Sequence, residues 1–116
     1  MSLDSAVDNP EDKKLVVLAK ATRARTGATE GAALRDLDGR TYAAATVALP
    51  SLQISALGVC IAMAVASGAK GAEAAVVLGA GDVASTDLDA LRDFAGGGVP
   101  VHHGSPAGVV AGTVST

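Results

Sequence analysis

Apolar positions along the chain change their spacing from segment to segment, and each spacing predicts an element. Between Glu11 and Arg25, Leu15, Leu18 and Ala19, with Thr22 following, return at the period of a helix that buries one side. Pro10 suits the first turn, where an N–H would go unpaired anyway, and Glu11 and Asp12 oppose the positive helix end. Gly27 supplies a stop. Residues 1–10 (MSLDSAVDNP) show no period and read as a flexible or loosely docked arm. Asp38-Gly39 lies between two apolar-leaning runs, Gly31–Leu37 and Arg40–Leu49, which is the pattern of a hairpin. From Pro50 to Gly68 the chain is apolar nearly all round, predicting a buried helix capped by Ser51, running to about Ser67 and ended by Gly68. Its unbroken apolar stretch, Ala56 to Ala66, is shorter than the roughly 18 residues a membrane span needs.

Glu73 to Leu78 is a short continuous apolar run, as in an inner strand covered on both faces. Thr86 and Asp89 resemble a capping pair for a helix reaching Phe94 or Ala95, which Gly96 to Gly98 then break. Val99 to His102 reads as a further strand, and the tail from Gly104 as an edge strand or a loose end. Residues 11–103 therefore form one domain, with 104–116 as tail or edge strand. The order of elements predicts an α/β fold, a three-layer α/β/α sandwich with a mixed sheet.

Composition narrows the function classes. The 116 residues suit one domain, and 49% hydrophobic content with a net charge of −3 excludes a wholly disordered chain. The two aromatics, Tyr42 and Phe94, and the mildly acidic balance argue against a nucleic-acid partner. A core of Ala, Val and Leu gains less buried area than one with larger rings, so homo-oligomerisation is expected. Five of the nine bases (Lys13, Lys14, Lys20, Arg23 and Arg25) lie on the first helix; we read them as its solvated side, against a phosphate-contacting face. No charged stretch followed by an apolar run opens the chain, so a reducing cytoplasm is the expected compartment, with no membrane partner.

Candidate chemistry is sparse. Cys60 sits among Val59, Ile61 and Ala62 and reads as a core residue, and one cysteine supplies neither a disulfide nor a zinc cluster. Asp36-Leu37-Asp38-Gly39 lacks the later acids of a calcium loop. Gly79-Ala80-Gly81-Asp82-Val83-Ala84 matches a loose dinucleotide pattern, but Asp82 would face the pyrophosphate and the later acid is missing, leaving a strand-to-helix turn. His102 and His103 are adjacent on a strand and point to opposite faces, so they do not chelate one ion; they read as surface or sheet-end residues. Ser55 is not in a nucleophile elbow.

The arrangement resembles the cytidine deaminase family. GAALRDLDGRTY, Gly31 to Tyr42, is similar to the family's G-A-A-L-x-x-x-D-G-x-x-Y hairpin, and Ala64 to Gly68 (AVASG) to the end of its central helix, with Phe94 at the end of the short helix. The resemblance covers roughly residues 12 to 103. It implies a zinc site built from Cys/His-x-Glu and P-C-x-x-C. Here those elements fall on Ser55-Ala56-Leu57 and on Val83-Ala84-Ser85-Thr86-Asp87, so the resemblance implies degenerate positions at Ser55, Leu57, Ala84 and Asp87, with no metal and no cofactor. The family's ribose-holding N-V-E-N stretch corresponds to Thr46-Val47-Ala48-Leu49, which makes Thr46, Ala48 and Ser55 the candidate ligand-binding residues.

The expected function is therefore a catalytically silent, homo-oligomeric protein, dimer or tetramer, in a structural or regulatory role. Ala56, Gly58, Ala62 and Ala66 suit the family's packing around its central helix. A sensor of a nucleoside-like small molecule is the alternative from another class. A residual nucleoside deaminase or hydrolase, with a site rebuilt from Asp87, Asp89, His102 or His103, is the third.

Overall fold

In the computed structural model, which describes residues 7–116, the first helix, α1, spans Pro10–Thr26. Asn9 caps it by accepting the Glu11 N–H at 2.8 Å, and Gly27 ends it in the left-handed conformation, φ +68°. Asn9 and Pro10, read from the sequence as part of the arm, thus cap and open the helix, and Val7 is already buried. The remainder of that arm, residues 1–6, lies outside the described residues. Asp12, Leu15, Ala19 and Thr22 form the buried stripe of α1. On its outer side Lys14 pairs with Glu11 at 3.1 Å, while Lys13, Lys20 and Arg25 are exposed.

β1 (Gly31–Asp36) and β2 (Thr41–Ala45) make the predicted hairpin, with Gly31 opposite Ala45 and Arg35 opposite Thr41. Asp36 fastens its turn. One carboxylate oxygen accepts the N–H groups of Asp38 (2.9 Å) and Arg40 (3.0 Å), and the other accepts the Tyr42 hydroxyl at 2.8 Å. Burial alone would raise the Asp36 carboxyl, but the Tyr42 hydroxyl and the two amides together hold it below its ordinary range. The bond to Asp36 in turn raises Tyr42. A depressed folded value contributes stability above the unfolded value and loses it as pH falls through the folded one. Tyr42→Phe removes one of the lowering contacts, so its acid unfolding midpoint is expected at higher pH than the parent's, followed by circular dichroism. An unchanged midpoint would take Tyr42 out of this account.

β1 also pairs antiparallel with β5 (Ala72–Leu78), β5 pairs parallel with β6 (Pro100–Gly104), and β6 pairs antiparallel with β7 (Val110–Ser115). The result is a five-stranded mixed sheet in the order β2-β1-β5-β6-β7, with β7 at its edge. Alternate residues face opposite sides. Ala33, Ala74, Val76 and Leu78 meet Leu15 and Ala19 of α1 on one face. Ala32, Leu34, Ala75, Val77 and Val101 form the larger core on the other face, under α2 (Ala56–Ala66) and α3 (Ser85–Ala95). This is the three-layer α/β/α sandwich expected from the pattern. A methyl group at Gly31 would run into the Ala19 carbonyl, so α1 approaches β1 more closely than any side chain there allows.

The central helix starts later than its apolar pattern suggests. Leu52–Ile54 is a strand, β4, paired with β3 (Val47–Leu49), and Pro50 and Ser51 occupy the turn between them. Ser55, not Ser51, is the N-cap of α2, and its hydroxyl accepts the Gly58 N–H at 3.0 Å. The hairpin arm predicted to run to Leu49 leaves the main sheet after Ala45. Thr46 diverts it, exchanging backbone and hydroxyl hydrogen bonds with Glu30, each 3.1 Å long. The Thr86/Asp89 capping pair does not form. Ala84 is the N-cap of α3 without a side-chain bond, and Asp89 pairs instead with Arg92 at 2.9 Å. Among the described residues no helix is long and apolar enough to cross a membrane.

Candidate functional site

The N-termini of α2 and α3 meet. Ser55 donates its hydroxyl hydrogen to Asp87 Oδ1 at 2.7 Å while accepting the Gly58 N–H, so it caps one helix and ties it to the other. Asp87 stands in the first turn of α3, where the helix end favours its charge. Ala84, one turn before Asp87, is exposed, and both Ser55 and Asp87 are half-buried. Leu57 lies two residues into α2 and is fully buried in the larger core with Cys60 and Leu91. Ala48 is exposed on β3, and the Thr46 hydroxyl is already engaged by Glu30. Of the positions singled out from the sequence, the fold therefore joins Ser55 to Asp87, places Ala84 a turn away, and turns Leu57 inward.

The other candidates are engaged elsewhere. Burial pushes the Cys60 thiol up to about 12, and its Sγ donates to the Tyr42 carbonyl at 3.5 Å, so it stays a neutral packing residue. The Gly79–Gly81 loop borders an open cleft of about 420 Å³ with Asp82, Ser105 and Pro106, and no cation lines it among the described residues. That lining does not suit a pyrophosphate. His103 is half-buried. His102, by contrast, is buried, which corrects the reading of both histidines as surface or sheet-end residues. Its Nε2 lies 2.8 Å from Asp12 Oδ2 and its Nδ1 lies 2.7 Å from Thr113 Oγ1. Asp12 also accepts from Arg35 Nη2 at 2.8 Å, and Arg35 Nε reaches Glu73 at 3.4 Å. Asp87, Asp89 and His102 thus have separate partners, and the four residues considered for a rebuilt site do not share one.

Sequence reasoning missed this second cluster. The available signal was Arg35, a cation that follows four small or apolar residues in its strand, since a buried cation needs a carboxylate. Among the described residues no three His, Cys, Asp or Glu side chains gather as a metal site.

The family model described as cytidine deaminase-like matches residues 8–108. The chain belongs to the cytidine deaminase-like family. None of the curated proteins matches it significantly. Among solved structures, cytidine deaminase from Mycobacterium leprae is similar with a TM-score of 0.72 and 20% identity, over 93% of this chain and 94% of that one. Cytidine deaminase from Burkholderia pseudomallei gives a TM-score of 0.71 at 19% identity, over 89% of each chain. Cytidine deaminase from Mycobacterium tuberculosis gives 0.70 at 18%, over 82% of this chain and 86% of that one. At such identities the likeness is one of fold.

Zinc deamination on a cytidine deaminase-like domain calls for thiolate or imidazole ligands in a tetrahedral set. The residues that the resemblance puts in those places are a serine, an alanine and an aspartate. The Ser55 hydroxyl is already spent as donor to Asp87 and acceptor from Gly58. A neutral hydroxyl engaged as a helix cap, one carboxylate and a methyl group do not fit zinc.

Proposed function

We propose that the protein is a non-catalytic cytidine deaminase-like domain, acting in the cytoplasm as a homo-oligomer, dimer or tetramer, in a structural or regulatory role. The observation that carries this reading is the Ser55–Asp87 hydrogen bond, 2.7 Å long, with Leu57 buried close by in the chain. Deamination requires a metal-activated water and a carboxylate that shuttles protons to the leaving ammonia. By the resemblance, Leu57 stands where that carboxylate would act, and it moves no proton. Assembly is supported by the outer side of α2, where Gly58, Val59, Ala62, Val65 and Ala66 present an uncharged, partly exposed surface. Val65 is 54% exposed, and Leu49 and Leu52 on the β3–β4 hairpin are 56% and 49% exposed. Apolar exposure of this kind marks association surfaces, and small side chains let helices approach closely.

Metal analysis of untagged protein, a cytidine deamination assay and light scattering test the proposal together. The expected results are zinc far below one per chain, no uridine, and a mass of two or four protomers. Stoichiometric zinc or cytidine turnover would overturn the non-catalytic reading, and a single-protomer mass would overturn the assembly. The Ser55–Asp87 pair is only partly buried, which favours a second reading in which a nucleoside-like molecule binds there. A ligand that binds only the folded state raises the melting temperature. A nucleoside and nucleotide panel without any shift would remove that reading.

A further inference from the structure

We propose that the cavity between α1 and the β6–β7 connection binds a small anionic amphiphile, a free carboxylate carrying a medium-length alkyl chain. The cavity follows from the layering. Two helices cover one face of the five-stranded sheet, whereas α1 alone covers the other, where it packs on β1, β2 and β5. β6 and β7 continue the sheet past it. A space of about 240 Å³ therefore remains beside the helix, over the start of β7.

Its lining is apolar within and basic at the rim. Val16, Val17 and Val110 form walls, and Lys13 and Lys20 border them. The two lysines stand about two turns apart on α1, so they flank both valines along one side of the helix. Both are exposed, no acidic side chain lines the cavity, and neither is in an ion pair among the described residues. The adjacent Lys14, by contrast, is spent on Glu11. Lys20 supplies wall as well as charge. Its stem runs beside Gly108, where an added β-carbon would lie 3.1 Å from Lys20 Cδ, while its ammonium group stays in solvent.

These features select the ligand. Valine walls call for a hydrocarbon body, and two uncompensated ammonium groups call for an anionic head. The volume lies below the roughly 300 Å³ at which pockets for drug-sized ligands begin, which favours a short unbranched chain over a nucleotide. Such a ligand would give the regulatory role an effector, at a place apart from the Ser55–Asp87 pair. The site stands or falls independently of zinc content and cytidine turnover.

The test is an NMR titration of the isotope-labelled full chain with sodium octanoate below its micelle concentration. Saturable shifts are expected at Val16, Val17, Val110 and Gly108. From butanoate through hexanoate to octanoate, binding should tighten roughly threefold per added methylene. Octylammonium, with the same chain and the opposite charge, should bind at least about tenfold more weakly. Replacing Lys13 and Lys20 together by Gln should weaken octanoate by about tenfold, whereas Lys14→Gln should leave it within about twofold. All three lysines are exposed, so these variants keep the fold. Absence of saturable shifts at the cavity would overturn the proposal, as would equal binding of octylammonium or parental affinity in the double variant. Sedimentation with phosphatidylglycerol vesicles in place of octanoate binding would make this face a lipid-surface contact and overturn it equally.

Discussion

Asp12→Ala is expected to lower stability by about 3–5 kcal/mol, because it strips the shared carboxylate from two buried partners. One oxygen accepts from Arg35 and the other from His102, each at 2.8 Å, and the three side chains are only 9%, 9% and 8% exposed. Removing the carboxylate leaves a guanidinium and an imidazole N–H desolvated together. Glu73 cannot stand in for it, since it reaches Arg35 only at 3.4 Å and is itself 45% exposed. The exposed Lys14–Glu11 pair makes the control: Lys14→Ala should cost under about 1 kcal/mol, as solvent and side-chain entropy cancel most of such a pair. Urea unfolding of both variants decides the matter, provided the slope of the transition is unchanged. A loss below about 1 kcal/mol for Asp12→Ala would mean that water reaches Arg35 once the carboxylate is gone.

Leu57→Glu is expected to destabilise the domain by at least about 3 kcal/mol at neutral pH without producing deaminase activity. The substitution puts a carboxylate where the resemblance places the family's catalytic one. Leu57 is fully buried, however, and packs in the core formed with Cys60 and Leu91. Two penalties add: lost apolar packing, and desolvation of a charge with no partner. Burial raises the folded pKa of the introduced group, so the unfolded chain gives up its proton first. The charge penalty is therefore absent below the unfolded value of about 4.3 and grows as pH rises above it. The deficit against the parent should be larger at pH 8 than at pH 4. Equal deficits at the two pH values would show that solvent reaches this position, and would weaken the view that the site has been converted to core.

Elements whose signals are local were legible from the chain. The helix from Pro10, the Asp38-Gly39 turn and the strand ending at Leu78 each depend on a cap, a glycine conformation or a run of apolar residues within a few positions. The start of α2 was not legible, since Ser51 and Ser55 both offer caps and three residues, Leu52 to Ile54, fit a strand or a helical turn equally well. Pairing with β3 chose the strand. Ala84 as a cap was unreadable for a related reason, because Asp87 is drawn to Ser55 rather than to its own helix end. Asp12 was read as an acid placed to oppose the helix dipole, and nothing local distinguishes that role from the buried ion pair it also forms.

At the candidate site the same division holds. If the resemblance places the family's zinc positions correctly, Ser55 and Ala84 bring neither thiolate nor imidazole there, since no fold makes one from serine or alanine. Whether those positions meet is another matter. The Ser55–Asp87 contact joins residues 32 apart, and the His102–Asp12 contact joins residues 90 apart. Separations of that size carry no local signal, because the energy of such a pair depends on the burial and dielectric that surrounding elements impose. Sequence therefore determined the elements and the poverty of metal ligands. Packing of α1 across the sheet, and of α2 against α3, decided which polar groups are paired, buried and able to act.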